Sequence, residues 1–222
     1  MTTQKNHGAD TTSARDQLVE AMLVHVPFDG WSNNARDAAA ADINLSLEEA
    51  QRLIPDVGAA IDAFTDLADR QMAKSLDALD PRPEKISAIV RAAILCRLER
   101  AEAHREVVTQ ALKILARPQH AQLAASSLYR TVDRIWRLTG DRAVDFSFYT
   151  KRASLAGVYS ATLLYWTTNP QADRAKTEAF LDQRLREIAM IPKVTAPAKK
   201  AAEMGMKFAT KLMGRMPTRR PS

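Results

Sequence analysis

The spacing of apolar residues constrains this chain most. Almost everywhere they recur at three- and four-residue intervals, the period of a helix with one buried face, and the alternation of a half-buried strand is absent. Only 7 glycines occur in 222 residues, too few for a turn-rich β fold or a glycine-rich phosphate loop. The expected fold is therefore all-α. With 46% apolar residues, a chain of this length can bury a core of its own. The single cysteine, Cys96, excludes an intramolecular disulfide and a cysteine-based zinc cluster.

Caps and breakers divide the helical pattern. Leu18, Met22 and Val26 follow Ser13, a candidate cap, and Pro27 stops that helix; residues 1–12 read as a disordered arm. Trp31 to Ala41 form a second short element. Ser46-Leu47-Glu48-Glu49 is a capping box opening a third, with Pro55 after its end. Ile61, Phe64, Leu67, Ala68, Met72 and Leu79 mark a long helix from Asp56 to Leu79. Asp80-Pro81-Arg82-Pro83 is the clearest breaker and the expected domain boundary, with a head and connecting helix over 13–80 and a ligand and dimer domain over 81–191. In that second domain, Ile86 to Leu98 line one helix and Val107 to Leu115 form the next. Leu128, Val132, Ile135 and Trp136 share a third, which Gly140 closes in a left-handed turn. Asp145 or Ser147 caps a helix through Trp166, and Asp173 to Met190 form another. Residues 192–197 read as a linker, 198–216 as a last helix and 217–222 as a basic tail. Three short helices ahead of a longer bundle resemble the TetR-type plan: a helix-turn-helix-like head, a helical ligand and dimer domain, and here a C-terminal amphipathic helix.

The net charge of +6 invites a nucleic-acid partner, but its distribution argues against one. Residues 1–80 hold 6 Lys+Arg against 14 Asp+Glu, residues 81–192 hold 18 against 11, and residues 193–222 hold 8 against 1. Over 13–56, where a helix-turn-helix would meet phosphates, Arg15, Arg36 and Arg52 face eight carboxylates. Glu48 and Glu49 occupy the first turn of the candidate recognition helix, which suits its dipole and repels phosphate. No nucleic-acid partner is expected.

No catalytic motif stands out. His25, His104 and His120 are preceded three residues earlier by Met22, Ala101 and Arg117, so the Glu-x-x-His pairs of a di-iron bundle are missing. Glu99, Glu102, His104 and Glu106 alternate with Arg97, Arg100 and Arg105, the pattern of a solvated, salt-bridged helix face. No P-loop, Gly-x-Gly-x-x-Gly or Gly-x-Ser-x-Gly is present. No metal, no cofactor and no catalysis are expected.

The stretch from Ser126 to Trp166 is more distinctive. Lys151 and Arg152 stand in the first turns of a helix, where cations oppose the dipole, and Asp133, Asp141 and Asp145 are near enough in sequence to offset them. Tyr129, Trp136, Phe146, Phe148 and Tyr149 surround this cluster, and aromatics beside arginines are the stuff of protein interfaces. The run Asp133, Trp136, Gly140-Asp141, Asp145-Phe146, Tyr149-Thr150-Lys151-Arg152, Leu155 and Tyr159 resembles the C-terminal signature of the Coq9 family of ubiquinone-biosynthesis proteins. Val26-Pro27-Phe28-Asp29-Gly30-Trp31 is similar to the same family, so the likeness extends from about Arg15 to Ile191.

That resemblance implies a TetR-like fold that no longer regulates transcription. It implies a non-enzymatic homodimer that binds an isoprenoid quinone or phospholipid and presents the quinone intermediate to the demethoxyubiquinone hydroxylase. Asp133, Asp145 and Tyr149 match the family's partner-facing patch, with Trp136, Phe148 and Arg152 beside them. Phe148 replaces the Trp of eukaryotic members, keeping the ring and losing the indole donor. For the lipid, the small and branched side chains Leu155, Val158, Tyr159, Thr162 and Leu163 are the candidate lining.

The last helix is amphipathic and basic. Met204, Phe208, Leu212 and Met216 recur every four residues, with Lys200, Lys207, Lys211 and Arg215 beside them. Such a helix lies in the lipid interface with its lysines reaching anionic headgroups. No signal-peptide or transit-peptide pattern opens the chain, so the expected location is cytoplasmic, peripheral on the inner face of a bacterial-type cytoplasmic membrane. The alternative is a TetR-type transcription regulator with an apolar effector pocket.

Overall fold

Side-chain caps set where the early helices begin. In this computed structural model the described residues are 3–140 and 146–190, with side chains over 13–140 and 150–189. The helix α1 (Thr3–Asp29) is followed by α2 (Asn33–Asp42), whose Ser32 hydroxyl accepts from the Ala35 N–H at 3.1 Å. The hydroxyl of Ser46 accepts from the Glu49 N–H at 3.2 Å to open α3 (Leu47–Leu53), and Asp56 Oδ1 accepts from the Ala59 N–H at 2.8 Å to open α4 (Val57–Asp77). Then come α5 (Ile86–Ala101), a 3₁₀ turn at Glu102–His104, α6 (Arg105–Leu115), a second 3₁₀ turn at Pro118–His120, α7 (Ala121–Leu138), α8 (Phe146–Thr168) and α9 (Arg174–Met190). No strand occurs among the described residues.

Two boundaries differ from the sequence pattern. The first helix begins at Thr3 rather than behind Ser13, ahead of any apolar periodicity, and it continues through Pro27 to Asp29. Pro27 falls in the last turn, where it forgoes one backbone bond. Gly30 makes the actual stop, in the left-handed region at φ +67° with its N–H on the Val26 carbonyl at 2.9 Å. Gly140, at φ +74°, closes α7 as its position implies.

The described residues up to Asp182 pack as one compact unit, and those from Gln183 onward belong to a second. Within the first, α1, α2 and α3 pack together, α1 reaches α4 and α6, α4 lies against α5 and α7, and α6 and α7 lie against α8. Across the Asp80–Pro83 breaker, α4 and α5 therefore pack inside the same unit. The head's core joins Leu18, Val19, Met22 and Val26 of α1 to Ala35 and Ala39 of α2 and Ile61 of α4. Trp31 locks this head to the bundle. Its ring meets Phe64 at 5.3 Å between centroids and its indole N–H donates to the Val107 carbonyl at 3.1 Å. In the second unit, the described end of α9 carries a local pair, Arg184 donating to Glu187 at 2.7 Å.

Candidate functional site

Five helices line a cavity of about 410 Å³. Phe64, Thr65 and Ala68 come from α4, Leu98 and Ala101 from α5, and Val108, Ala111 and Leu112 from α6. The wall is completed by Ser127 and Leu128 of α7 and by Tyr159 and Leu163 of α8. A mostly aliphatic wall with few polar atoms is what an apolar ligand needs.

The polar atoms gather around one buried carboxylate. Asp69 is fully buried on α4 and forms an ion pair with Arg97 Nη1 at 2.5 Å. The Thr131 hydroxyl donates to it at 2.9 Å, and Arg97 Nε donates to the Tyr159 hydroxyl at 2.7 Å. Burial pushes the Asp69 carboxyl above its ordinary value, against the opposing pull of Arg97, Thr131 and Arg130. Burial also raises Tyr159, which therefore keeps its proton at neutral pH. A buried charge on an isolated arginine would be prohibitive, and Asp69 is what lets Arg97 line an apolar space.

The candidate lipid-lining residues divide by helix geometry. Tyr159 and Leu163, one turn apart, face the cavity with Ser160 and Leu164. Leu155, Val158 and Thr162 lie on the neighbouring stripe and are buried outside the cavity wall, the Thr162 hydroxyl turned back to the Val158 carbonyl at 2.8 Å. At about 100° per residue the five candidates spread over an arc of about 140°, and the cavity borders only the edge of it that Tyr159 and Leu163 occupy.

Sequence reasoning missed Arg97, Asp69, Ser127 and Thr131. Arg97 does not belong to the solvated face on which its neighbours suggested it; it turns inward to Asp69. The available signal was Asp69 itself, which stands at i, i+3 and i+7 spacing with the buried Met72 and Leu76. A second space of about 490 Å³ lies between α5 and the α8–α9 turn. Its wall carries Glu99 paired with Arg174 and Glu102 paired with Arg105, a surface suited to water rather than to an apolar chain.

Of the candidate partner-facing residues, Asp133, Trp136 and Arg152 are described. Asp133 accepts from Arg152 at 2.8 Å and from Arg137 at 2.6 Å, tying α7 to α8. Trp136 and Arg152 are buried, each with 8% of its surface exposed, and the Lys151 ammonium sits 5.6 Å from the Trp136 ring centroid. These two side chains brace the helix pair from inside instead of presenting themselves. Tyr129, by contrast, is 56% exposed on α7. Asp145 lies outside the described residues, as do the side chains of Phe148 and Tyr149 and the candidate membrane residues from Lys200 to Met216.

In the head, every arginine is engaged internally. Arg36 is buried and donates to the Ile54 carbonyl at 3.1 Å, Arg52 pairs with Glu49, and Arg15 pairs with Asp66 at 3.5 Å. No group of three His, Cys, Asp or Glu side chains suited to a metal ion occurs among the described residues.

Residues 121–192 match the family model described as COQ9. Along 82% of its length the chain is 30% identical to the ubiquinone biosynthesis protein COQ9 of Drosophila melanogaster. The chain belongs to the COQ9 family. It is also similar to the COQ9 proteins of Rattus norvegicus, 31% identical over 77% of this chain, and of Homo sapiens, 28% identical over 77%. All three relatives are named as mitochondrial, and this chain spans 57%, 57% and 56% of their respective lengths. Among solved structures it resembles a TetR transcriptional regulator from Nitrosomonas europaea, with a TM-score of 0.64 and 22% identity over 81% of this chain and 99% of the other. The fold is TetR-like and all-α.

Proposed function

We propose that this chain is a non-enzymatic lipid-binding accessory protein of ubiquinone biosynthesis. The observation that carries the proposal is the aliphatic cavity among α4 to α8, together with membership of a family whose relatives are named for that pathway. An isoprenoid quinone intermediate enters this cavity, and the surface where α7 meets the start of α8 engages the demethoxyubiquinone hydroxylase. Asp145, Phe148 and Tyr149 make the contact, while the Asp133–Arg152 pair and Trp136 hold the two helices in register. The chain acts as a homodimer. Its basic C-terminal segment rests on an anionic membrane surface, and none of the described helices is long and apolar enough to cross one.

The transcription-regulator alternative draws on the solved neighbour, a TetR transcriptional regulator. Against it stand the engaged head arginines: a protein that binds DNA places free cations on phosphates. A gel shift across a salt series separates the two, because a regulator gains affinity steeply as salt falls. The direct test is organic extraction of the purified chain followed by mass spectrometry, and a hydroxylase pull-down with Tyr149→Ala. A co-purifying isoprenoid quinone and a weakened pull-down support the proposal. A chain that carries no lipid and ignores the hydroxylase overturns it.

A further inference from the structure

One polar atom in the cavity wall has no partner. Ser127 on α7 is 3% exposed, and its hydroxyl makes no hydrogen bond within the protein. A buried hydroxyl left unpaired costs free energy, so such a group calls for an explanation. None of the hydroxyls around it is its partner. One turn along the same helix, the Thr131 hydroxyl is committed to Asp69 at 2.9 Å, and Asp69 is already shared with Arg97. The Tyr159 hydroxyl accepts from Arg97 Nε at 2.7 Å, which leaves its own proton to donate. The remainder of the wall is largely aliphatic: Ala68, Val108, Ala111, Leu112 and Leu163 offer nothing polar.

We infer that Ser127 is the group in this cavity that recognises the polar end of the ligand, its hydroxyl donating to a carbonyl or ether oxygen on an otherwise apolar molecule. The inference rests on the proposed ligand-binding role of the cavity and adds the chemistry by which the ligand is chosen and oriented. A carboxylate or phosphate does not fit, because Asp69 already neutralises Arg97 and leaves no cation to offset a second buried anion. A plain hydrocarbon fills the space and leaves Ser127 unpaired. An acceptor oxygen satisfies it, and the apolar remainder of the molecule lies along α6 and α8.

The experiment measures displacement of the fluorescent apolar reporter N-phenyl-1-naphthylamine from the full chain by undecan-2-one and by undecane. The two probes share chain length and differ in one carbonyl. Wild type is expected to prefer the ketone by about 3- to 10-fold, the range of one neutral hydrogen bond. Ser127→Ala abolishes that preference, so that undecan-2-one and undecane displace the reporter alike, and Ser127→Thr, which retains a hydroxyl, preserves it. A wild type that binds both probes without preference, or a ketone preference that persists in Ser127→Ala, overturns the role of Ser127 and leaves the cavity reading standing. A wild type that binds neither probe overturns the cavity reading, and this inference with it.

Discussion

Replacing Ala68 with Leu should stabilise the protein and weaken its grip on an apolar ligand. Ala68 is half-buried on α4 and forms part of the cavity wall. The substitution adds three carbons that project into an open space of about 410 Å³ rather than into packed neighbours. At about 0.8 kcal/mol per buried methylene the gain has a ceiling near 2.4 kcal/mol. Fixing the leucine rotamer costs about 0.5–1 kcal/mol, so a net gain of about 1.5 kcal/mol is expected. For a domain of this size that corresponds to a rise in Tm of about 3–6 °C. Urea melts should show a higher midpoint with an unchanged slope, and undecane should displace the reporter less effectively than in wild type. Had the wall been closed at Ala68, the same change would overpack it at a cost of about 1–3 kcal/mol. A lower midpoint together with unchanged probe affinity would refute the cavity.

Three further outcomes follow from the geometry. Asp69→Asn leaves the buried Arg97 without its counter-charge and should cost about 3–5 kcal/mol in urea melts; Tyr159→Phe removes only an acceptor and should cost about 1.5–3 kcal/mol. Hydrogen bonds from Arg174 and Arg91 hold Glu178 below its ordinary pKa, so its contribution is complete above the normal glutamate range and is lost as pH falls through the lowered value. Tm measured against pH should therefore decline less steeply on acidification in Glu178→Gln than in wild type, and parallel curves would count against this. Deleting residues 196–222 should abolish flotation with anionic liposomes and leave the melting transition in place; a truncated chain that still floats removes the membrane role of that segment.

Much of the fold was legible because local chemistry and global packing agree. Ser46 and Gly140 each act where their positions suggest, since a cap or a left-handed stop depends on only a few neighbouring residues. The end of α1 was misplaced because proline is an obvious breaker, whereas Gly30 breaks the helix only through its conformation. The site was less legible for a different reason. Arg97 belongs to a run of alternating charges that looks solvated, and only the tertiary approach of Asp69 from α4 turns it inward. Likewise the period of α8 reveals an apolar helix but not which of its adjacent stripes, that of Tyr159 and Leu163 or that of Val158 and Thr162, borders an empty space.

The central claim is that the space among α4 to α8 holds a lipid. Native mass spectrometry of the full chain, run beside a variant carrying Ala68→Leu and Ala124→Leu, tests it most directly. The account predicts a wild-type peak heavier than the chain by the mass of an apolar lipid, and a variant in which that peak is lost while the fold persists. Equal adducts on both proteins, or none on either, would contradict it.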